Sequence, residues 1–251
     1  MKRSLKNISG YSIQGKYGTS GKVVDLLFDE ESWIVRYIEA VFEEFDPPKR
    51  VLIPRTSLKA PDWEDKTFHL DLTLPDIEAS PAIEEHLPVS REYEKKILEH
   101  YKEAPYWPYM YVPPTTSVMP YPPRPLKVPA HEINEEELDS RLRSFKEIIN
   151  YRIRGTDDSL GQVEDIIVDD EDWQITYLIV DTKRWLPWSK TVVLSIEWLE
   201  KISYQKSEVQ IDLATSQIKK APEFDPSHPI DMDYEEALDA FYREQKKELH
   251  S

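Results

Sequence analysis

Two short segments have residue types that could bind an ion. Residues 15–21 (Gly-Lys-Tyr-Gly-Thr-Ser-Gly) have the glycine-rich composition of a phosphate-binding loop. Such a loop needs a helix that begins directly after it, whereas the apolar residues that follow predict a strand. Residues 169–172 (Asp-Asp-Glu-Asp) offer carboxylate oxygens for a hard cation, but they lack the spacing and the distal Glu of a calcium loop. We therefore predict a solvated hairpin turn at 169–172 and structural turns at four glycines: Gly15, Gly21, Gly155 and Gly161.

No other residues form a catalytic or metal-binding pattern. The chain has no cysteine, and its histidines form neither an HExxH motif nor a close ligand pair. These histidines are His69, His86, His100, His131, His228 and His250. No serine has the sequence context of a nucleophile elbow. The sequence therefore predicts no catalytic residue, no metal site, no cofactor and no enzyme activity.

Aromatic residues are the strongest candidates for binding a partner. Trp185-Leu186-Pro187-Trp188 lies between two predicted strands, and aromatic side chains in loops are common interface anchors. Residues 104–131 contain nine prolines, so neither a helix nor a central strand is expected there. This segment also contains aromatic residues, and we select Tyr106, Trp107, Tyr109 and Tyr111. In both segments the rings either pack on the chain itself or contact a partner, and the sequence leaves both alternatives open.

Composition limits the functional classes. There are 48 acidic and 32 basic residues, which gives a net charge of −16. This charge repels nucleic acids and anionic lipid surfaces, so we expect no nucleic-acid partner. No apolar run is long enough to cross a membrane, and the basic N-terminus is not followed by the apolar stretch of a signal peptide. A cytoplasmic location is predicted.

The chain repeats itself at a spacing of 140 residues. Between residues 8–37 and 148–177, eleven of thirty positions are identical without a gap. The residues of the first copy are Ile8, Tyr11, Ile13, Gly15, Gly21, Val23, Asp25, Asp29, Glu31, Trp33 and Tyr37. The correspondence then continues with one inserted residue, through Val51 and Val192 to Tyr101 and Tyr242. Copies of about 100 residues are typical of small domains rather than solenoid repeats.

Short apolar runs predict the same elements in both copies. The first copy is predicted to have strands at 11–14, 22–28, 33–41, 51–54 and 67–72. The second is predicted to have strands at 162–168, 173–181, 192–195 and 208–213. Ser90 and Asp231 are expected to cap closing helices, whose stripes of Tyr93, Ile97 and Tyr101 and of Tyr234, Leu238 and Tyr242 pack onto the strands. Asn134, with Glu137, is predicted to start a short helix before the second copy.

The repeated block resembles the PRC-barrel family. The resemblance lies in Gly15, Gly21-Lys22-Val23-Val24-Asp25, Asp29-Glu30-Glu31-Ser32-Trp33 and Tyr37, in their counterparts from Gly155 to Tyr177, and in Ala221-Pro222-Glu223-Phe224-Asp225-Pro226. The chain is similar to tandem PRC-barrel proteins of bacteria. The resemblance implies small, strongly bent β-barrels that act as adaptors. Related barrels occur in the photosynthetic reaction-centre H subunit and in the ribosome-maturation factor RimM.

These observations predict a mainly β protein with accessory helices, made of two tandem small PRC-like β-barrels, each followed by a C-terminal helix. The predicted domains are residues 1–103, a Pro/Tyr-rich linker at 104–131, and residues 132–251. The predicted function is a non-enzymatic protein-binding or assembly adaptor for an unidentified partner in a complex that could be membrane-associated. Homodimerisation is compatible with the open strand edges of small barrels. Two alternatives stay open: a hydrolase or metal-dependent enzyme with a site between the barrels, and an RNA-processing factor like RimM.

Overall fold

The computed structural model describes residues 1–6, 8–83, 89–107, 141–182 and 190–249, with side chains up to Gln245. These residues form two β-sheets with a few helices. We call residues 1–107 the first half and residues 141–249 the second half. The first half contains β1 (Lys2–Ser4), β2 (Ser12–Gln14), β3 (Ser20–Asp29), β4 (Ile34–Phe42), β5 (Lys49–Pro54), β6 (Thr67–His69), α1 (Leu74–Ala79) and α2 (Arg91–Tyr101).

The second half repeats this order of elements with two additions. Its elements are β7 (Leu142–Ser144), α3 (Phe145–Ile148), β8 (Arg152–Arg154), β9 (Ser159–Asp169), β10 (Ile175–Asp181), β11 (Thr191–Ser195), β12 (Leu199–Ser203), β13 (Glu208–Ile211), α4 (Thr215–Ile218) and α5 (Met232–Leu249). The predicted strands are confirmed, with boundaries shifted by a few residues. Strands β1, β7, β8 and β12 and helices α1, α3 and α4 were not predicted.

The two sheets have the same strand order. The first runs β5-β4-β3-β2-β6 and the second runs β11-β10-β9-β8-β13-β12. In each sheet one pair is parallel, β2 with β6 and β8 with β13, and its other neighbouring strands are antiparallel. The prediction of closed barrels is wrong, because the end strands of each sheet are not paired with each other among the described residues.

Irregular segments cover the outer strands where a closed barrel would place another strand. Ile83 donates its backbone N–H to the carbonyl of Arg50 on β5 (3.1 Å), and Phe224 donates to Thr191 on β11 (3.0 Å). On β6, the carbonyl of His69 accepts from Lys59 (2.8 Å). These bonds satisfy edge groups that would otherwise be free to pair with another chain.

Each half contributes one strand to the sheet of the other half. Strand β1 pairs with β9, with Arg3 opposite Val168. Strand β7 pairs with β3, with Arg143 opposite Phe28. Arg3 and Arg143 are counterparts in the repeat, so the exchange is reciprocal. We call residues 2–6 and 142–146 the exchanged arms.

The halves also meet at their corresponding β-turns. Val35 donates its backbone N–H to the carbonyl of Trp173 (3.0 Å), and Ile175 donates to the carbonyl of Trp33 (2.8 Å). Both tryptophans have a positive φ, 56° for Trp33 and 63° for Trp173. A single cluster of buried apolar side chains contains residues of both halves, Val35 and Ile175 among them. The two copies therefore pack against each other as one body rather than forming two separate domains joined by a linker.

Both faces of the long strands are apolar because both are covered. On β3, Phe28 belongs to the cluster shared by the halves, whereas the neighbouring Leu27 lies in a second cluster with Ile97 of α2. The predicted caps of the closing helices are confirmed: the Ser90 hydroxyl accepts from the Tyr93 N–H (3.2 Å), and the Asp231 carboxylate accepts from the Tyr234 N–H (2.9 Å). Asn134 and the helix predicted there lie outside the described residues.

The four selected glycines lie where an added Cβ would collide with a neighbouring group. Gly21 lies within β3 and Gly161 within β9. A Cβ at Gly155 would lie 2.4 Å from the carbonyl oxygen of Leu213, and one at Gly15 would lie 2.8 Å from that of Leu72. The prediction of a structural turn is therefore wrong for Gly21 and Gly161, and the feature that all four positions share is the lack of space for a side chain.

Replacing Gly161 by alanine tests this explanation. At Gly161 φ is +154°, and a Cβ would lie 2.3 Å from the carbonyl oxygen of Asp181 on the neighbouring strand. We expect Gly161→Ala to lower the free energy of unfolding by about 2–4 kcal/mol, from overpacking together with backbone strain. Gly18→Ala is the control, since φ there is +87° but nothing lies within 4 Å of the added Cβ. Urea denaturation that gives equal losses for both variants would contradict the packing explanation.

Cutting the chain between the halves tests the exchange. With a protease site inserted at residues 115–118 of the full chain, the two fragments are expected to co-elute after cleavage. The reason is that the exchanged arms and the shared apolar cluster, rather than the covalent connection, hold the halves together. Size-exclusion chromatography with light scattering checks this; two separate fragment peaks at micromolar concentration would overturn it.

Candidate functional site

Each exchanged arm is held by one buried aspartate, and we call this aspartate with the bonds that it accepts from the arm a clasp. Asp165 accepts hydrogen bonds from the Ser4 hydroxyl and from the backbone N–H groups of Lys6 (2.9 Å) and Ile166 (2.7 Å). In the other half Asp25 accepts the corresponding three bonds. They come from the Ser144 hydroxyl and from the backbone N–H groups of Lys146 (3.2 Å) and Leu26 (2.8 Å). Both aspartates are at most 9% exposed.

Burial raises the pKa of both carboxyl groups. For Asp165, the hydrogen bonds from Ser4, Lys6 and Ile166 oppose the effect of burial but do not cancel it. For Asp25, burial is again the main cause, and the nearby Glu39 adds to it. These aspartates are repeated in sequence, and each one binds the arm of the other half.

A charged pair at the edge of each arm reinforces this contact. Arg3 donates through Nε to Asp170 (2.8 Å), and its guanidinium lies 4.8 Å from the ring centre of Trp63. The counterpart Arg143 makes two parallel hydrogen bonds to Glu30, both 3.0 Å, and lies 4.2 Å from the Tyr204 ring. Such paired bonds and ring contacts are typical of arginine rather than lysine.

The acidic turn at 169–172 is a hairpin turn, as predicted, but two of its carboxylates are ion-paired. Lys2 donates to Asp169 (2.9 Å), and Arg3 binds Asp170. Burial pushes the pKa of Asp169 upward, but the bonds from Lys2, the Glu171 N–H and the N-terminal amine outweigh it and lower the pKa to about 2. The turn at 169–172 therefore binds the exchanged arm that contains Lys2 and Arg3. Among the described residues, no group of three or more His, Asp or Glu side chains is arranged to hold a metal ion.

Two of the grooves where the halves meet correspond to each other in the repeat. The larger of the two, of about 510 Å³, is lined by residues that include Arg55, Leu58, Lys59, Pro61 and Trp63 of the first half and Asp170, Glu171 and Trp173 of the second. We call it the seam groove. The twin groove, of about 300 Å³, is lined by the corresponding residues Glu30, Trp33, Leu199 and Ile202. The alternative of an enzyme with a site between the halves stays a prediction. A third pocket between the halves, of about 280 Å³, is lined by residues that include Lys6, Glu164, Asp165 and His228.

Two of the selected aromatic residues pack onto the first half. Tyr106 and Trp107 make an edge-to-face contact, with ring centres 4.9 Å apart. Arg36 lies 4.0 Å from the Tyr106 ring centre and Arg91 lies 4.2 Å from that of Trp107. Both rings pack against the cluster under α2. The start of the Pro/Tyr-rich segment is thus anchored to the chain itself, whereas Tyr109 and Tyr111 lie outside the described residues.

The other selected aromatic residues, Trp185, Leu186 and Trp188, also lie outside the described residues. The ends of their segment are described. Thr182 is fully buried, and its hydroxyl donates to the Lys190 carbonyl (2.6 Å) and accepts from the Lys190 N–H (2.9 Å). The residues on either side of the segment 183–189 are therefore held together by hydrogen bonds, at the end of β10 and the start of β11. In the first half, Phe45 of the corresponding loop packs partly buried against the shared cluster.

The histidines do not assemble a nucleophilic site among the described residues. His228 contacts Asp225 and Ser227 through the same ring nitrogen, Nδ1, at 3.1 Å in both cases. A catalytic triad needs the serine and the carboxylate on opposite ring nitrogens. Because the side chains of His228 and Asp225 are mostly exposed, this group is a surface turn.

Comparison with protein-family models identifies a family for part of the chain. The sequence model of the PRC-barrel domain family matches residues 142–218. This part of the chain is a PRC-barrel domain. No curated protein matches the chain. Among the described helices, none combines the length and apolar character needed to cross a bilayer.

The PRC-barrel domain begins at Leu142, the first residue of β7. The exchanged arm is therefore part of the domain, although it completes the sheet of the first half. Sequence reasoning missed the arms, but a signal was present: Arg3, Ser4 and Lys6 recur as Arg143, Ser144 and Lys146, in line with the repeat.

Substitutions of Asp165 test the clasp. Asp165→Ala leaves the buried N–H of Ile166 and the partly buried N–H of Lys6 without an acceptor, so we expect a loss of about 2–4 kcal/mol in the free energy of unfolding. Asp165→Asn keeps an acceptor and should lose less. Asp212→Ala, in the turn after β13, is the control.

The pH dependence gives a second readout. Because the folded-state pKa of Asp165 is raised, its ionisation destabilises the fold, and stability falls as pH rises from the unfolded value of about 3.8 through the folded value. The wild type should thus gain stability relative to Asp165→Asn as pH is lowered through this window. Urea denaturation between pH 4 and 8 measures the difference, and a constant difference would contradict a titrating clasp.

Proposed function

We propose that the protein is a non-enzymatic adaptor made of two tandem PRC-barrel units, which binds a protein partner through loops carried by one rigid body. The observation that carries the proposal is the reciprocal exchange of arms. It fixes the two halves relative to each other, so that loops of both halves are held at set positions. Binding residues are commonly found on loops that a rigid scaffold positions.

The tandem arrangement is supported by the first half itself. Its strand order is that of the PRC-barrel domain at 142–218, including the parallel pair of β2 with β6. Asp25 binds an arm as Asp165 does, and Arg3 pairs with an acidic residue as Arg143 does. We therefore infer that the first half is a second unit of the same family, diverged further in sequence.

The contact surface that we favour is the segment 183–189. It contains two tryptophans and a leucine in seven residues, and its base is held by the bonds between Thr182 and Lys190. Because hydrogen bonds hold the two ends of the segment together, less conformational entropy is lost when its side chains bind a partner. Tryptophan is also enriched among the residues that dominate binding energy. The corresponding loop of the first half has a single aromatic residue, Phe45, which packs inward.

Alanine substitutions at Trp185 and Trp188 test this surface. We expect the double variant to recover its partner at least about tenfold less well, since each dominant aromatic contact contributes about 2 kcal/mol or more. The measurement is affinity capture with cross-linking from the native cell, quantified by mass spectrometry, with far-UV circular dichroism to confirm folding. Tyr17→Ala is the matched control, because Tyr17 is 95% exposed on a loop of the first half. Equal recovery by the double variant and the wild type would remove the 183–189 segment from the proposal.

A further inference from the structure

Two neighbouring arginines of the first half have no carboxylate partner. Among the described residues five arginines are partly buried, and three of these pair with a carboxylate at 2.8–3.0 Å. Those three are Arg3, Arg91 and Arg143. The other two, Arg36 and Arg55, form no ion pair with the described part of the chain. In a chain with a net charge of −16, adjacent cations without an anionic partner indicate an anion from outside the chain.

Arg36 and Arg55 stand at the same end of two neighbouring strands. Tyr37 of β4 lies opposite Pro54 of β5, and the two arginines are the next residues at that end. Arg36 is the extra residue of a bulge in β4, because the residues on either side of it face consecutive residues of β3. Such bulges redirect a side chain and are common beside active sites. Like charges that lie opposite each other on neighbouring strands destabilise a sheet, so this pair is unfavourable until an anion neutralises it.

Neighbouring groups hold both guanidinium groups without using up their donors. Arg36 donates through Nη2 to the Ser32 hydroxyl (3.1 Å) and lies 4.0 Å from the ring centre of Tyr106. The Nε of Arg36 is buried and has no acceptor, which is unfavourable. Arg55 donates through Nη1 to the backbone carbonyl of Asp172 in the second half (2.7 Å). Because each guanidinium has five N–H donors, most of them stay available to a ligand.

The carboxylates near Arg55 are bound to other groups. Asp172 accepts a backbone N–H (2.9 Å), and Glu103 accepts from the Thr56 hydroxyl. Burial and then the charge of Arg36 lower the pKa of Arg55, and together they outweigh the opposing effects of Asp172 and Glu103. Among the charged groups that act on Arg55, its fellow arginine has the largest effect.

The seam groove gives a ligand access to Arg55. The charged residues that line this groove are Arg55, Lys59, Asp170 and Glu171. Asp170 is bound by Arg3, whereas Glu171 is exposed. Lys59 lies 3.6 Å from the exposed Asp71, and surface pairs of this kind are weak. The groove thus offers an anion the Arg55 guanidinium, with the ammonium group of Lys59 as a second cation.

The second half has neither arginine. In line with the repeat, Thr176 stands at the position of Arg36 and Ile196 at that of Arg55. The bulge itself is kept in β10. The fold is therefore compatible with uncharged residues at both positions, and folding alone does not explain why two arginines stand together in the first half.

We propose that Arg36 and Arg55 bind a phosphoryl group where Arg55 lines the seam groove, either as free phosphate or as a phosphate monoester on a larger molecule. A phosphate monoester carries a charge of about −1.5 to −2 at pH 7 and three acceptor oxygens, so it matches two guanidinium groups. A carboxylate would neutralise only one of them. Arginine is the usual residue for such recognition, because its planar fork binds two phosphate oxygens at once. The site does not depend on the partner role of the segment 183–189.

Calorimetric titration of the full-length protein with inorganic phosphate, at constant ionic strength, tests the site. We expect one saturable site in the wild type. The double variant Arg36→Thr/Arg55→Ile should bind at least about tenfold more weakly, because it loses charge-assisted hydrogen bonds to the anion. The new residues are those of the second half, so the variant is expected to fold. Arg154→Thr, which removes an exposed arginine on β8, is the control and should bind like the wild type.

The arginine Nε–H signals in NMR spectra locate the bound anion. Phosphate should shift the signals of Arg36 and Arg55 and leave those of the ion-paired Arg91 and Arg143 unchanged, and acetate at the same ionic strength should shift none of them. Titration with N-acetyl-O-phosphoserine amide distinguishes the two sources of the phosphoryl group. Tighter binding than that of inorganic phosphate assigns the site to a phosphorylated side chain, and weaker binding assigns it to free phosphate.

Three results would overturn the proposal. The first is equal phosphate affinity of the wild type and the double variant. The second is an equal response of the two arginine signals to acetate and to phosphate, which would show that the site has no preference for a phosphoryl group. The third is the absence of saturable binding by the wild type up to about 10 mM phosphate.

Discussion

The fold depends on a buried carboxylate that receives a strand from the other half. An aspartate removed from water needs hydrogen-bond donors on both oxygens, and within its own half Asp165 is given one, the Ile166 N–H. The hydroxyl of Ser4 and the N–H of Lys6 supply the rest, and both come from the arm of the first half. A buried carboxylate that lacked these donors would lose more free energy than the bonds contribute when made, so its burial depends on the arm. The first half has the same requirement, because its Asp25 accepts a hydrogen bond from Ser144 in the arm of the second half.

This reciprocity explains why the turns of the two halves meet as they do. Once β1 lies on β9 and β7 lies on β3, the turns that follow β3 and β9 face each other. Trp33 and Trp173 then exchange backbone bonds with Ile175 and Val35. The left-handed backbone at both tryptophans is strained for a side chain of this size and persists because the surrounding bonds determine it. The grooves flank this contact, so their shape follows from the exchange rather than from either half alone.

Much of the architecture could be predicted from the repeat, and the errors have physical causes. Apolar periodicity predicts β3, β4, β9 and β10 because it records which residues leave water. It does not record which element covers them: Phe28 lies in the cluster shared by the halves, whereas the neighbouring Leu27 is covered by α2. The arms are three-residue strands with little apolar character, and only their repetition at Arg3 and Arg143 marks them. Glycines repeated at 21 and 161 indicated a constraint, but the sequence could not distinguish a turn from a neighbouring carbonyl that excludes a Cβ.

The differences between the arms show why each one belongs to the opposite half. Lys2 reaches Asp169 (2.9 Å) and lies 3.8 Å from Glu235, so the surface that receives β1 is acidic. Its counterpart Leu142 is 2% exposed and packs with Leu27 and Tyr37 in the cluster under α2. Interchanging the arms would bring the Lys2 ammonium into an apolar cluster and place Leu142 beside unpaired carboxylates, and both changes are unfavourable. Two identical halves would pair equally well with themselves and with each other. The difference between Lys2 and Leu142, each matched by the surface that receives it, makes pairing between unlike halves the favoured arrangement. A duplicated domain can then diverge on its outer surfaces, as the seam and twin grooves have done, while its two copies remain bound in a single orientation.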